Sequence, residues 1–159
     1  MSDPVPRPVL EFRDVSASYL GAITALQGVS LTVHEGEFAA LLGANGAGKT
    51  TLLKAASNLL PAERGQITRG GIRFQGQDVT AQTPARHIRA GLVPVLEGRR
   101  CFRNLTIEEN LLTGAMGAGI SRARTRQQLD LVYALFPRLA QRRLSPAGLT
   151  SGGEQQMAA

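Results

Sequence analysis

Gly43-Ala44-Asn45-Gly46-Ala47-Gly48-Lys49-Thr50 fits the pattern G-x-x-x-x-G-K-[ST], and its flanks decide how the surrounding chain must fold. A glycine-rich loop between a strand and a helix points successive backbone N–H groups at a polyphosphate, and the helix N-terminus adds a partial positive charge. Side chains would block that approach, which is why the loop is built of glycine. In such a loop Lys49 reaches the β- and γ-phosphates and the Thr50 hydroxyl ligates Mg²⁺. Upstream, Phe38-Ala39-Ala40-Leu41-Leu42 is an unbroken apolar run that predicts a buried central parallel strand. Downstream, Thr51, Leu52, Leu53, Lys54, Ala55 and Ala56 predict a helix that meets no breaker before Pro61. The expectation is a nucleoside triphosphate site. The alternative is a glycine turn between two buried elements.

Composition narrows what surrounds that site. With 159 residues, 43% of them hydrophobic, the chain can bury one substantial core, so one domain or a large part of one is expected. No apolar run reaches the length of a membrane-spanning helix, and the opening Met1-Ser2-Asp3-Pro4-Val5-Pro6-Arg7-Pro8 lacks the apolar stretch of a signal peptide. A cytoplasmic chain is expected. A single cysteine, Cys101, excludes an internal disulfide and a cysteine metal cluster. Its neighbours Arg99, Arg100 and Arg103 would favour a thiolate, whereas the plainer reading is an ordinary thiol beside Phe102.

The net charge of +6 lies wholly in the second half: residues 81–159 hold eleven arginines against five acids, while residues 1–80 balance seven against seven. Such a surface suits nucleic acid, acidic headgroups or an acidic protein, or is simply a solvated helical face. Nucleic acid is not the expected partner, because no zinc-finger or RRM-type motif is present and only 4% of residues are aromatic.

Along the chain, Val9 to Val15 and Val29 to His34 alternate apolar and polar residues and predict half-exposed strands. Gly65 to Arg69 and Ile72 to Gln75, joined by Gly70-Gly71, predict a small hairpin. Pro84 opens a short helix through Ala90, and Leu92 to Leu96 predicts a short strand with Pro94 near an end or edge. Beyond this point the pattern is helical. Thr106 and Glu109 form a capping box before the apolar face of Ile107, Leu111, Leu112 and Ala115. A second amphipathic helix runs from about Arg122 to Pro137, and Ser151-Gly152-Gly153-Glu154 fits the S-x-x-E opening of a third. His34 and His87 read as surface or structural residues.

Ser151, Gly152 and Gly153 at a helix start offer exposed N–H groups, a hydroxyl and a favourable dipole to an anion; alternatively Ser151 and Glu154 simply cap a helix. Joined to the loop at Gly43 to Thr50 they acquire more meaning. Leu149-Thr150-Ser151-Gly152-Gly153-Glu154-Gln155-Gln156 resembles the signature sequence of ATP-binding cassette (ABC) ATPases, and Gly43 to Thr50 resembles their Walker A loop, in the same order and at a similar separation. The resemblance covers essentially the whole chain. It looks closest to the ATP-binding subunits of branched-chain amino acid importers, through Glu97-Gly98-Arg99-Arg100, Asn104 to Leu111, and Leu135-Phe136-Pro137-Arg138-Leu139.

That resemblance implies an α/β P-loop NTPase core of ABC ATPase type with an antiparallel β subdomain and an α-helical subdomain, the C-terminal part of the core being missing. Residues 1–100 would form the nucleotide-binding core and β subdomain, and residues 101–159 the α-helical subdomain ending in the signature motif. It implies ATP and Mg²⁺ as cofactors, with ATP held by Gly43, Ala44, Asn45, Gly46, Ala47, Gly48, Lys49, Thr50 and Thr51, and with Tyr19 stacked on adenine. Ser151, Gly152, Gly153, Glu154 and Gln155 would act on the ATP of a second ABC subunit, identical or different. Lys49 and Glu97 would be the catalytic residues present, and Thr50 and Glu97 the metal ligands. Glu97 stands where most of these ATPases carry glutamine, and Leu96 precedes it where the importer branch commonly has proline. The alternative for Glu97 is a surface acid paired with Arg99 or Arg100.

The implied activity is ATP hydrolysis driving uptake of branched-chain or related amino acids, at the inner face of the membrane, through separate permease subunits. The Walker B strand, catalytic glutamate, D-loop and switch histidine would follow Ala159, so the 159-residue chain by itself is expected to bind ATP without hydrolysing it, and to be poorly stable. Three other readings stay open: a non-hydrolysing nucleotide-binding or interaction module, a soluble ABC ATPase acting on nucleic acid, and a P-loop kinase or GTPase, which would leave Ser151 to Gln155 unexplained.

Overall fold

A computed structural model describes residues 6–98 and 100–159. The chain divides into two compact units, Met1–Pro94 and Val95–Ala159. The first is built on an antiparallel sheet of β1 (Pro8–Tyr19), β2 (Ile23–His34), β3 (Gly65–Phe74) and β4 (Gln77–Asp78), in the order β2-β1-β3-β4. Two helices complete it, α1 (Lys49–Ala56) and α2 (Pro84–Ala90), with a 3₁₀ turn at Leu60–Glu63.

Strand β1 pairs along both edges, and its alternation changes phase on the way. Phe12 is buried, then Val15 and Ala17, so the inward-facing set moves from even to odd positions. The cause is an extra residue: Phe12 pairs with Leu31 but Val15 with Val29, and Asp14 takes a left-handed φ of 52°. The Asp14 N–H bonds to the Ser30 hydroxyl at 2.9 Å. Phe12, Val15, Ala17 and Leu26 then meet Ile72 and Phe74 from β3, and Leu52, Ala55 and Ala56 from α1, in one apolar core. Full burial of each Leu, Ile or Phe there is worth roughly 1.5–3 kcal/mol.

Three strand-level expectations are corrected. The Gly70-Gly71 pair does not turn the chain, because Gly65 to Phe74 is one continuous strand. Gly70, at φ 77°, lies opposite the β1 bulge, where a Cβ would sit 2.3 Å from the carbonyl oxygens of both Arg13 and Asp14. Glycine is present for close backbone approach, and the reversal comes later, at Gln75 and Gly76. Residues 38–42 are not a buried strand: no described residue pairs with them, and Phe38 and Leu42 are 95% and 92% exposed. Residues 92–96 likewise form no strand. An apolar run becomes a strand only where a neighbour supplies the ladder.

The second unit is helical: α3 (Ile107–Ala118), α4 (Arg122–Leu135), α5 (Pro137–Gln141) and α6 (Gly152–Ala158). The predicted capping box at Thr106 is present, the hydroxyl accepting from Glu109 N–H and the Glu109 carboxylate accepting from Thr106 N–H. Ile107, Leu139 and Ala147 are fully buried at its centre, and Leu111, Val132 and Tyr133 pack around them. Asn110 is buried on α3, where its side chain bonds both the N–H and the carbonyl of Phe102 and the carbonyls of Leu105 and Thr106. It thereby fixes the chain entering the helix. No helix among the described residues is long and apolar enough to cross a membrane.

Gly70→Ala is expected to cost about 3 kcal/mol or more, since it adds backbone overlap to a strained φ. Gly21→Ala, at φ 72° but with open space around it, is expected to cost only about 1 kcal/mol. Urea denaturation of the two variants checks this; equal losses would contradict the bulge argument.

Candidate functional site

Gly48 closes the glycine-rich loop and serves as the N-cap of α1 in the left-handed conformation, φ 87°. A Cβ at this position would meet the Ala25 carbonyl at 2.7 Å and Leu26 Cδ2 at 2.9 Å. The start of α1 is therefore pressed directly onto β2, and only glycine fits. Gly46 also has positive φ, 85°, but with nothing near its missing side chain. Gly43 to Ala47 are exposed. No side chain caps α1, so the N–H groups of its first turn, which have no intrahelical partners, face outward.

Lys49 curls back over this loop. Its Nζ donates to the carbonyl oxygens of Gly43 and Ala44, at 2.7 Å each. The ammonium is thus held at the mouth of the loop by two neutral acceptors, and the adjacent Thr50 hydroxyl is exposed. Outward N–H groups, a helix N-terminus, an ammonium and a hydroxyl form a surface suited to a polyphosphate and its counter-cation. The donor set fits Mg²⁺, which takes oxygen ligands and is commonly shared between a protein hydroxyl or carboxylate and phosphate.

Tyr19 ends β1 half-buried, its ring against Gly65: a Cβ there would lie 2.8 Å from Cε1. One side of the ring is therefore occupied by the protein.

In the second unit, Ser151 caps α6. Its hydroxyl accepts from Glu154 N–H at 3.2 Å, and the Glu154 carboxylate accepts from Ser151 N–H at 2.8 Å. The reciprocal cap consumes those two donors and leaves the N–H groups of Gly152 and Gly153 without partners among the described residues. The bond from the Ser151 N–H is the main reason the Glu154 carboxyl is held below its ordinary value of 4.5. Gln155 points back into its own unit, donating Nε2 to the carbonyls of Ala147 at 3.0 Å and Thr150 at 3.1 Å. Its backbone carbonyl accepts from the Cys101 thiol at 3.1 Å. Burial pushes the Cys101 thiol up, which agrees with the plainer reading of an ordinary thiol and not with a thiolate favoured by neighbouring arginines.

Glu97 lies on an exposed bend, and its backbone carbonyl accepts from Arg100 Nε at 3.2 Å. Arg99, its other suggested partner, lies outside the described residues. His34 is a half-buried residue at the end of β2, bonded to Glu37. His87 is 2% exposed, with Nδ1 2.9 Å from the Ala56 carbonyl and Nε2 3.1 Å from the Val79 carbonyl, so its structural reading holds in buried form.

Two polar anchors were not singled out from sequence. One is Asn110, whose signal is an amide within an otherwise apolar helical stripe. The other is Tyr133, which donates to Glu108 at 2.8 Å; burial first, and that carboxylate second, push its hydroxyl up to about 12.

Residues 26–159 match the sequence profile of the family described as ABC transporter. The high-affinity branched-chain amino acid transport ATP-binding protein BraG of Pseudomonas aeruginosa is 42% identical over 151 residues, covering 95% of this chain and 61% of that protein. The ribose import ATP-binding protein RbsA 2 of Burkholderia pseudomallei is 41% identical over 113 residues, 71% of this chain and 21% of that one. Among solved structures, a nucleotide-free ATP-binding cassette from an ABC transporter superposes with a TM-score of 0.73 at 25% identity, covering 95% of this chain and 64% of its own. The chain thus spans about three fifths of the length of BraG.

Two outcomes are expected. Cys101 should react with thiol reagents more slowly at pH 8 than an exposed cysteine, followed by absorbance on disulfide exchange. The cap on α6 should depend on pH with a definite sign. Because Glu154 has a lowered folded value, its contribution is complete above 4.5 and is lost as pH falls through that lowered value. Glu154→Gln should remove this dependence from the acid limb of an amide-exchange profile of residues 152–156.

Proposed function

The chain belongs to the ABC transporter family, and on that footing we propose that it is the ATP-binding subunit of an importer for branched-chain or related amino acids. The observation that carries the nucleotide reading is the uncapped start of α1, with Lys49 folded onto the carbonyls of Gly43 and Ala44 beside exposed N–H groups. A triphosphate offers charged oxygens to that ammonium in place of two neutral carbonyls, and charge-assisted bonds are about twice as strong as neutral ones. The loop amides bind and orient the β- and γ-phosphates, and Lys49 concentrates positive charge where negative charge grows during phosphoryl transfer.

Mg²⁺, when bound, supplies further charge neutralisation to the phosphates; Thr50 and Glu97 are the residues proposed to hold it. Tyr19 is proposed to stack its free side on adenine. Ser151, Gly152 and Gly153 are proposed to meet the triphosphate of a second ABC subunit through their hydroxyl and free N–H groups, with Gln155 and Glu154 fixing the turn from behind. Permease subunits would carry the amino acid across the membrane, which places the working subunit at the inner membrane face.

Support for the cargo comes from BraG, which is 42% identical over 95% of this chain, whereas ribose import proteins are similar either over a shorter stretch or, at 94% of this chain, with a lower identity of 35%. A cell-uptake experiment separates the two. Lys49→Ala in the native gene should reduce uptake of labelled leucine, isoleucine and valine while leaving ribose uptake unchanged; the opposite pattern would replace the cargo assignment. In vitro, Lys49→Ala should weaken Mg-ATP binding by about tenfold or more, read by calorimetry.

A further inference from the structure

Helix α1 carries Lys49 and Thr50 at one end, and its other end is held by a side chain that the nucleotide site does not use. A helix leaves its last four carbonyls without intrahelical partners. Three of those in α1 are served by the turn that follows. Leu53 accepts from Ser57, Lys54 from the Leu59 N–H at 2.8 Å, and Ala55 from the Asn58 N–H at 3.1 Å. The fourth, Ala56, is buried and accepts from His87 Nδ1 at 2.9 Å, with no other partner among the described residues.

His87 comes from α2, and its Nε2 lies 3.1 Å from the carbonyl of Val79. That carbonyl already accepts from the Gln82 N–H at 3.0 Å. A neutral imidazole has one N–H to give. Leaving a buried carbonyl wholly unpaired is the costlier outcome, so the proton belongs on Nδ1, facing Ala56. A second proton, on Nε2, would add the bond to Val79. Asn58 supplies another tie between the same segments, donating Nδ2 to the Gln82 carbonyl at 2.6 Å.

We propose that His87 is a positioning residue for the phosphate-cradling loop: by capping Ala56 from α2 it fixes the axial placement of α1, and with it Lys49 and Thr50. The proposal rests on the nucleotide-binding reading above. Helix α1 is short, about 12 Å, and its start is already pressed onto Ala25 through Gly48. A last turn drawn outward to find water for Ala56 therefore tilts the whole element, and small misplacements remote from a ligand are felt strongly by the groups that contact it.

Two substitutions divide the imidazole between them. Asparagine places an amide nitrogen near the position of Nδ1, and glutamine places one near Nε2. The chain is titrated with Mg-ATP by calorimetry, each variant being first shown to be folded by circular dichroism. His87→Asn is expected to bind within about twofold of the parent and His87→Gln about fivefold or more weaker. A merely structural role would not separate them. Equal affinities, or a weaker Asn than Gln variant, would overturn the assignment. Nitrogen-15 spectra of the parent imidazole provide a test that survives failure of either variant to fold: a proton on Nδ1 is expected, and a ring protonated on Nε2 alone would sink the idea. Absence of ATP binding by the parent chain would count against the nucleotide reading itself, whereas parent binding without a split between variants counts only against His87.

Discussion

The absence of a side chain at Gly48 is the constraint on which the first unit depends. The carbonyl of Ala25 sits where any Cβ would begin, so α1 starts in van der Waals contact with the backbone of β2. That contact fixes three things together. It turns the chain through a left-handed residue into the helix, aims the first-turn N–H groups outward, and seats Leu52, Ala55 and Ala56 in the core beside Phe12, Leu26 and Ile72. A polar surface and an apolar core are thereby set by a single backbone approach, and His87 fastens the far end of the same helix.

The helical unit is organised differently, by polar side chains that close backbone valences. Thr106 and Ser151 begin α3 and α6 with the same reciprocal cap. Asn110 satisfies three residues of the loop entering α3, and Gln155 satisfies two carbonyls ahead of α6. The backbone of residues 103–108 is further bonded to that of 143–148. With Ile107, Leu139 and Ala147 as the fully buried apolar centre among the described residues, these bonds carry much of the definition of the unit.

Local chemistry was legible where a residue acts on its own neighbourhood. The two capping boxes, the Pro84 helix start and the glycine loop leading into α1 all follow from interactions within four residues, and the structure places them as the sequence suggests. Errors arose where the deciding partner lies far along the chain. Gly70-Gly71 has the composition of a turn, yet it faces the bulge at Asp14, more than fifty residues earlier. Phe38 to Leu42 has the composition of a buried strand, but composition supplies no hydrogen-bonding neighbour. His87 looked unremarkable because its significance lies in two carbonyls, Ala56 and Val79, that no local pattern associates with it.

The sequence by itself therefore determined the glycine-rich loop leading into α1, the capped start of α6 and the family to which the chain belongs. Each is written in contiguous residues whose backbone demands, positive φ at Gly46 and Gly48 and a cap at Ser151, are local. Tertiary structure alone decided that Gly48 must be glycine because of Ala25, that the half-buried Cys101 thiol donates to the Gln155 carbonyl, and that a histidine of α2 caps α1. Those outcomes depend on which groups meet in space, and through-space contact between residues tens of positions apart leaves no trace in periodicity or spacing.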